Sequence, residues 1–233
     1  MKQVGYYYGF DMTYMILVMP AIIFAMWAQT KVNSTFSRYQ RVRCYSGYTG
    51  AQIARRILDE NGLHHVRVER IAGNLTDHYD PRTQVVRLSD SVYNNPSVAA
   101  VGVAAHETGH AVQHATGYGP LVIRNSIIPL TNFGSKMSMP LILLGFLLNS
   151  TMLLNLGIIA FSMATLFQLI TLPVEFNASS RAMRTLSNGM MSDDELYGTK
   201  KVLTAAALTY VAALMVSVMQ LLRLVILANR RRD

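Results

Sequence analysis

Three long apolar stretches, residues 12–28, 137–172 and 202–227, constrain this chain more than anything else in it. A helix that crosses a hydrocarbon core of about 30 Å needs about 20 mainly apolar residues, so each stretch reads as membrane-spanning. The middle one would be about 54 Å long as a single helix, far more than one crossing requires. Asn149-Ser150-Thr151 and Asn155 supply a turn inside it, which predicts two antiparallel spans. Pro129 and Pro140 would kink the first of these, whose start could lie as early as Ile127. The last span follows Ser192-Asp193-Asp194-Glu195, a capping box with Ser192 as N-cap, and runs through Val202–Leu222 into a basic end. Charged residues are 15% of the chain, against about 25% in soluble domains. The expectation is a mainly α integral membrane protein with four transmembrane helices.

Residues 31–125 have a different character and predict a small water-facing α+β domain. Thr49 with Gln52 forms a capping box and Asn61-Gly62 a stop, so Thr49–Asn61 reads as a helix. Strands are expected around Val66–Ile71, Leu75–Tyr79 and Gln84–Leu88, the last after the turn Asp80-Pro81-Arg82-Thr83. Asn95-Pro96 reads as an N-cap followed by a first-turn proline, opening a helix that runs to Gly117. The organisation is then span one with an interfacial start (1–30), the α+β domain (31–125), a helical hairpin (126–172), a short helix (173–191), and span four with its basic tail (192–233). The segment before residue 30 has Lys2 as its sole early basic residue and no small-x-small cleavage site, so it reads as a retained helix.

The net charge of +8 does not point to nucleic acid. Its basic residues cluster beside the apolar runs, where topology-setting charge accounts for them, and no nucleic-acid-binding motif accompanies them. Ten lie on the side of residues 31–125 and of the loop between spans three and four (Lys31, Arg38, Arg41, Arg43, Arg124, Lys136, Arg181, Arg184, Lys200 and Lys201). The other side holds Lys2, Arg230–Arg232 and, at the boundary, Arg223, which predicts a cytoplasmic catalytic face. A single cysteine, Cys44, excludes an intramolecular disulfide framework and any multi-cysteine metal site.

The chemistry is concentrated in His106-Glu107-Thr108-Gly109-His110, an HExxH motif on the helix predicted from Asn95. Histidines four residues apart lie about 40° apart around a helix and about 6 Å along it, so both imidazoles can reach one zinc ion. Glu107 projects beside them, where a carboxylate can take a proton from an activated water. His114 continues the same face but lies about 12 Å along the helix from His106, too far to share one ion with it. Glu175 is the better third ligand. It sits in Leu172-Pro173-Val174-Glu175 where span three should emerge, and two spans separate it from His110, so the chain returns to the same face.

The segments HETGHAVQH, LTDHYDPRTQVVRLSDSVY and LPVEFNASSRA resemble those of the YugP-type, membrane-bound neutral zinc metallopeptidases, and the resemblance covers nearly the whole chain. A more distant likeness is to the HtpX and CAAX-processing membrane proteases. The resemblance implies a zincin-like, specifically gluzincin-like, site: one Zn²⁺ on His106, His110 and Glu175, with Glu107 as general base. It also implies a bacterial, multi-pass cell-membrane protein acting on protein or peptide substrates. The distant relatives carry an aspartate four residues after the ligand glutamate to orient a zinc histidine; here Ser179 stands there, and Asn177 is a further candidate for the task. Arg181 is a candidate catalytic residue as oxyanion donor, with His78 and Tyr79 as alternatives. Strand Gln84–Leu88 reads as an ordinary sheet strand, or alternatively as an edge on which an extended peptide pairs. The lipid bilayer is the expected surrounding, and no sequence feature calls for a membrane-protein partner or a homo-oligomer. The alternative from another class is a non-proteolytic membrane scaffold that retains a zinc-binding fold, against which the intact Glu107 argues.

Overall fold

A computed structural model describes residues 12–229; Lys2 and Arg230–Arg232 lie outside them. The chain is mainly helical, and four helices are long and apolar enough to cross a membrane, as the apolar stretches predict. A π-helical turn, Tyr14–Val18, leads into α1 (Met19–Tyr39), which continues well past the apolar residues that announced it. α2 (Gly50–Glu60) follows, then β1 (Arg67–Ile71), β2 (His78–Asp80), β3 (Val85–Ser89) and α3 (Val98–Ala115). The last three helices are α4 (Gly119–Leu147), α5 (Thr151–Ser187) and α6 (Asp193–Asn229). Two compact units result. Ser126–Leu169 joins the segments up to Trp27 and from Tyr210 onward in one, and Ala28–Asn125 joins Ile170–Thr209 in the other.

In the first unit, most apolar surface stays exposed. Ile16, Leu143, Leu147, Met152 and Ile159 are each more than half accessible, a pattern that hydrocarbon satisfies and water does not. Its buried cluster is small: Ile142, Leu154 and Leu224, with Phe146, Ile158 and Phe161 packed against it. α4 and α5 approach closely at Gly157, where a Cβ would stand 2.6 Å from Ile142 Cγ1 and 3.1 Å from the Ser138 carbonyl oxygen. Asn149 makes the turn between them with a left-handed φ of 50°, a conformation asparagine tolerates. That is the turn expected from Asn149-Ser150-Thr151. The first hairpin helix starts earlier than its apolar residues suggest, at Gly119, because the polar segment Arg124-Asn125-Ser126 is helical too.

The second unit has a conventional core. α2 buries Ile53, Ala54, Ile57 and Leu58 on one stripe, with the Thr49/Gln52 capping box formed as expected. The sheet order is β1-β3-β2, with β1 parallel and β2 antiparallel to β3. β3 is therefore the central strand, paired on both sides, and is not available as an edge for a peptide. Val85, Val86 and Leu88 on it are fully buried. β2 begins only at His78, because Leu75 takes a left-handed φ of 56° that interrupts an extended run. The start of α3 also differs from expectation. Ser97, not Asn95, is its N-cap and accepts from Ala100 N–H, while the Pro96 carbonyl accepts from Cys44 N–H at 2.8 Å. Gly117, with φ of 60°, ends the helix in the left-handed conformation that glycine adopts without strain.

Candidate metal centre

α3 carries the HExxH motif through the core of the second unit, and α5 passes against it. Close approach is possible because residue 109 is glycine: a Cβ there would lie 2.9 Å from the Ala178 carbonyl oxygen. Across this contact the sequence-predicted ligands meet. The ligand atoms of His106, His110 and Glu175 all lie within 4.8 Å of one another. Glu175 Oε2 stands 3.2 Å from His106 Nε2 and 3.4 Å from His110 Nε2. Ligands at about 2.0–2.2 Å in a tetrahedron around zinc would be spaced by about 3.4 Å, so the residues present fit that ion. The donor set, two imidazoles and one carboxylate, is also one that zinc takes in open sites. Glu175 is 4% exposed, a burial that an ionised carboxylate does not tolerate without positive charge beside it.

Groups behind the ligands fix their orientation. Ser179 Oγ is 3.1 Å from His106 Nδ1, and Gln113 Oε1 is 2.9 Å from His110 Nδ1. With each Nδ1–H donating outward, both Nε2 atoms keep their lone pairs for a metal. Gln113 is fully buried, and its amide cannot turn freely: Nε2 donates to the Val174 carbonyl at 2.8 Å and to Asn177 Oδ1 at 3.0 Å. Asn177 Oδ1 accepts in turn from Arg181 Nε at 2.8 Å. On the other side, Arg124 Nη1 donates to Glu175 Oε1 at 3.4 Å, leaving Oε2 facing the histidines.

Glu107 is buried beside the cluster and makes no hydrogen bond to another described residue. Burial pushes its carboxyl above the ordinary value, with His106 and His110 pulling the other way. Arg181, singled out in the sequence, bonds to Asn177 and makes no bond to His106, His110 or Glu175 among the described residues. His114 is not with the ligands either: its Nδ1 lies 2.8 Å from Tyr79 Oη, tying α3 to β2. His78 donates from Nδ1 to the carbonyl of Thr76, two residues before it, at 2.9 Å. Sequence reasoning missed two residues. Gln113 is three positions after His110, the spacing that stacks side chains on one helix face, and that signal could have found it. Arg124 lies 51 residues before Glu175, and nothing local links the two.

A chain with four helices long and apolar enough to cross a membrane, whose HExxH helix and the carboxylate beside it are separated by a helical hairpin, has the make-up of a membrane zinc metallopeptidase. The chain belongs to the family described as "Putative neutral zinc metallopeptidase", whose model matches residues 14–229. It is 53% identical over 223 residues to "Putative membrane protease YugP" of Bacillus subtilis (strain 168), an alignment covering 95% of this chain and 99% of that relative. No solved structure matches it.

Proposed function

We propose that this chain is a zinc-dependent endopeptidase that hydrolyses peptide bonds of membrane or membrane-adjacent proteins. The observation that carries this reading is the convergence of His106 Nε2, His110 Nε2 and Glu175 Oε2, with the buried Glu107 carboxylate beside them. Zinc held there supplies Lewis-acid polarisation of a peptide carbonyl and acidification of a water molecule. Glu107 accepts the water proton and delivers it to the leaving amine, a shuttle suited to a carboxyl whose affinity for protons burial has increased. Arg124 holds the second oxygen of Glu175, and Ser179 and Gln113 hold the two imidazoles. Arg181 acts in this reading as a positioning residue, through Asn177 and Gln113 on His110. The distribution of basic residues supports a cytoplasmic catalytic face.

The test compares purified wild type with Glu107→Gln, measuring zinc content and cleavage of a peptide panel. Wild type should cleave, and the variant should keep its zinc and lose at least about 100-fold in kcat, the scale of one acid–base group. Equal zinc with no cleavage by either form would favour a zinc-binding scaffold instead.

A further inference from the structure

A second feature of α3 lies about 100° around the helix axis from the metal ligands. Ala105, Gly109 and Val112 line a cavity of about 190 Å³ there, closed by Ile57 and Asn61 from α2 and by the end of α5. α5 contributes Arg181, Arg184 and Thr185, and no lining residue is acidic. Neither arginine forms an ion pair with a described carboxylate, and Arg184 makes no side-chain bond among the described residues. In the same unit Arg55, Arg56, Arg67, Arg70 and Arg87 each pair with a carboxylate at 3.2 Å or less, and Arg38, Arg41, Arg43 and Arg82 form no ion pair among the described residues. Arg181 and Arg184 differ from these four in lining one cavity together. Two guanidinium groups beside one cavity repel each other, and an anion between them removes that cost.

We infer that this cavity binds a phosphate-class oxyanion through Arg181 and Arg184. Size sets the first limit. The space of about 190 Å³ admits a group the size of phosphate. Donor number sets the second. The Arg181 Nη groups, the whole Arg184 fork and the Thr185 hydroxyl offer more N–H and O–H bonds than the two oxygens of a carboxylate can use, and a tetrahedral phosphate can use them. Preorganisation is the third consideration. Arg181 is anchored at Nε by Asn177, which fixes the plane of the guanidinium and leaves its Nη groups unbonded. The same chemistry is presented by free phosphate and by the phosphodiester of an anionic lipid.

This site does not depend on zinc or on peptidase activity, so the experiment uses metal-stripped full-length protein in a phosphate-free detergent. Radiolabelled inorganic phosphate is measured by equilibrium dialysis, and retained lipid by mass spectrometry after incubation with phosphatidylglycerol or, as a phosphate-free control, diacylglycerol. Wild type should bind phosphate, phosphatidylglycerol or both, and which of them binds identifies the source. Arg184→Glu should weaken that binding by about tenfold or more, the scale of one charge-assisted hydrogen bond. Arg184→Gln, gentler at this exposed position, should weaken it in the same direction, and Glu107→Gln should leave it unchanged. Binding to neither probe, binding unaffected in both Arg184 variants, or displacement by an equal concentration of acetate would each overturn the proposal.

Discussion

The two units of this molecule are held together by different forces. The unit of Ala28–Asn125 and Ile170–Thr209 buries a continuous apolar core, from Phe36 through Val86 and Val98 to Leu203, and draws its cohesion from removing that surface from water. The other unit has fewer and smaller buried apolar residues, Val18, Ala21, Ile142, Leu154, Ala212, Leu224 and Ala228 among those described, and its one buried cluster is Ile142, Leu154 and Leu224. Many of its large apolar side chains, Ile16, Leu143, Leu147 and Ile159 among them, stay exposed, and its helices are joined by close backbone approach at Gly157 and by a hydroxyl pair, Thr165 with Ser217 at 2.7 Å. Hydrocarbon around those helices leaves no hydrophobic drive for association, so small residues and polar contacts replace it. Deleting a large apolar side chain should therefore be severe in one unit and nearly silent in the other.

The sharpest way to break this comparison is a pair of equal truncations. Leu186→Ala, at a fully buried position, should destabilise by about 2–5 kcal/mol in thermal unfolding of the detergent-solubilised protein. Leu147→Ala, 77% exposed, should stay within about 0.5 kcal/mol. Equal losses would mean that Leu147 is covered by something other than lipid.

Removal of the amide behind His110 comes next. Gln113→Leu should weaken zinc binding about 10–100-fold in competition with a chromophoric chelator, and Ser179→Ala should act in the same direction through His106. A smaller effect is expected from Gly157→Val, whose added methyl groups meet Ile142 and the Ser138 carbonyl. It should cost about 1–3 kcal/mol in denaturation by ionic detergent while zinc affinity stays at the wild-type value.

The smallest expected effect is one of pH. The Thr83 hydroxyl and the Arg82 N–H hold the Asp80 carboxyl below the usual carboxylate range, with Arg87 adding to them. A depressed folded-state pKa contributes stability that is present above the unfolded value of about 3.9 and is lost as the pH falls below it. Asp80→Asn should accordingly lower the neutral plateau of the stability curve slightly and flatten its acid limb, because the contribution lost in acid by the wild type is absent from the variant at every pH.

The four long apolar helices and the pairing of His106 with His110 were legible in the sequence because their signals are local: unbroken apolar runs, and two imidazoles one helical turn apart. The approach of Glu175 to His106 and His110 was legible through counting, since an even number of spans returns the chain to the side it left. Arg124 was not. It sits in a polar stretch that reads as a loop before the hairpin, yet that stretch is helical and Arg124 turns to Glu175. The N-cap of α3 was misread by two residues for a related reason. Asn95-Pro96 is a sound local signal, but the Pro96 carbonyl is taken by Cys44 N–H, and Ser97 is left to cap. In both cases a partner distant in sequence overrides a local preference.

The spacing of the ligands also bears on how the protein is made. His106 leaves the ribosome 69 residues ahead of Glu175. At about 5–20 residues per second this is an interval of roughly 3–14 s, during which both helices of the hairpin are synthesised. Throughout it the nascent chain carries a pair of histidines without the carboxylate that completes their set. On the proposed reading, a peptide-cleaving centre cannot assemble until the hairpin and Glu175 have been made, and the order of translation serves as a delay on activity up to that point.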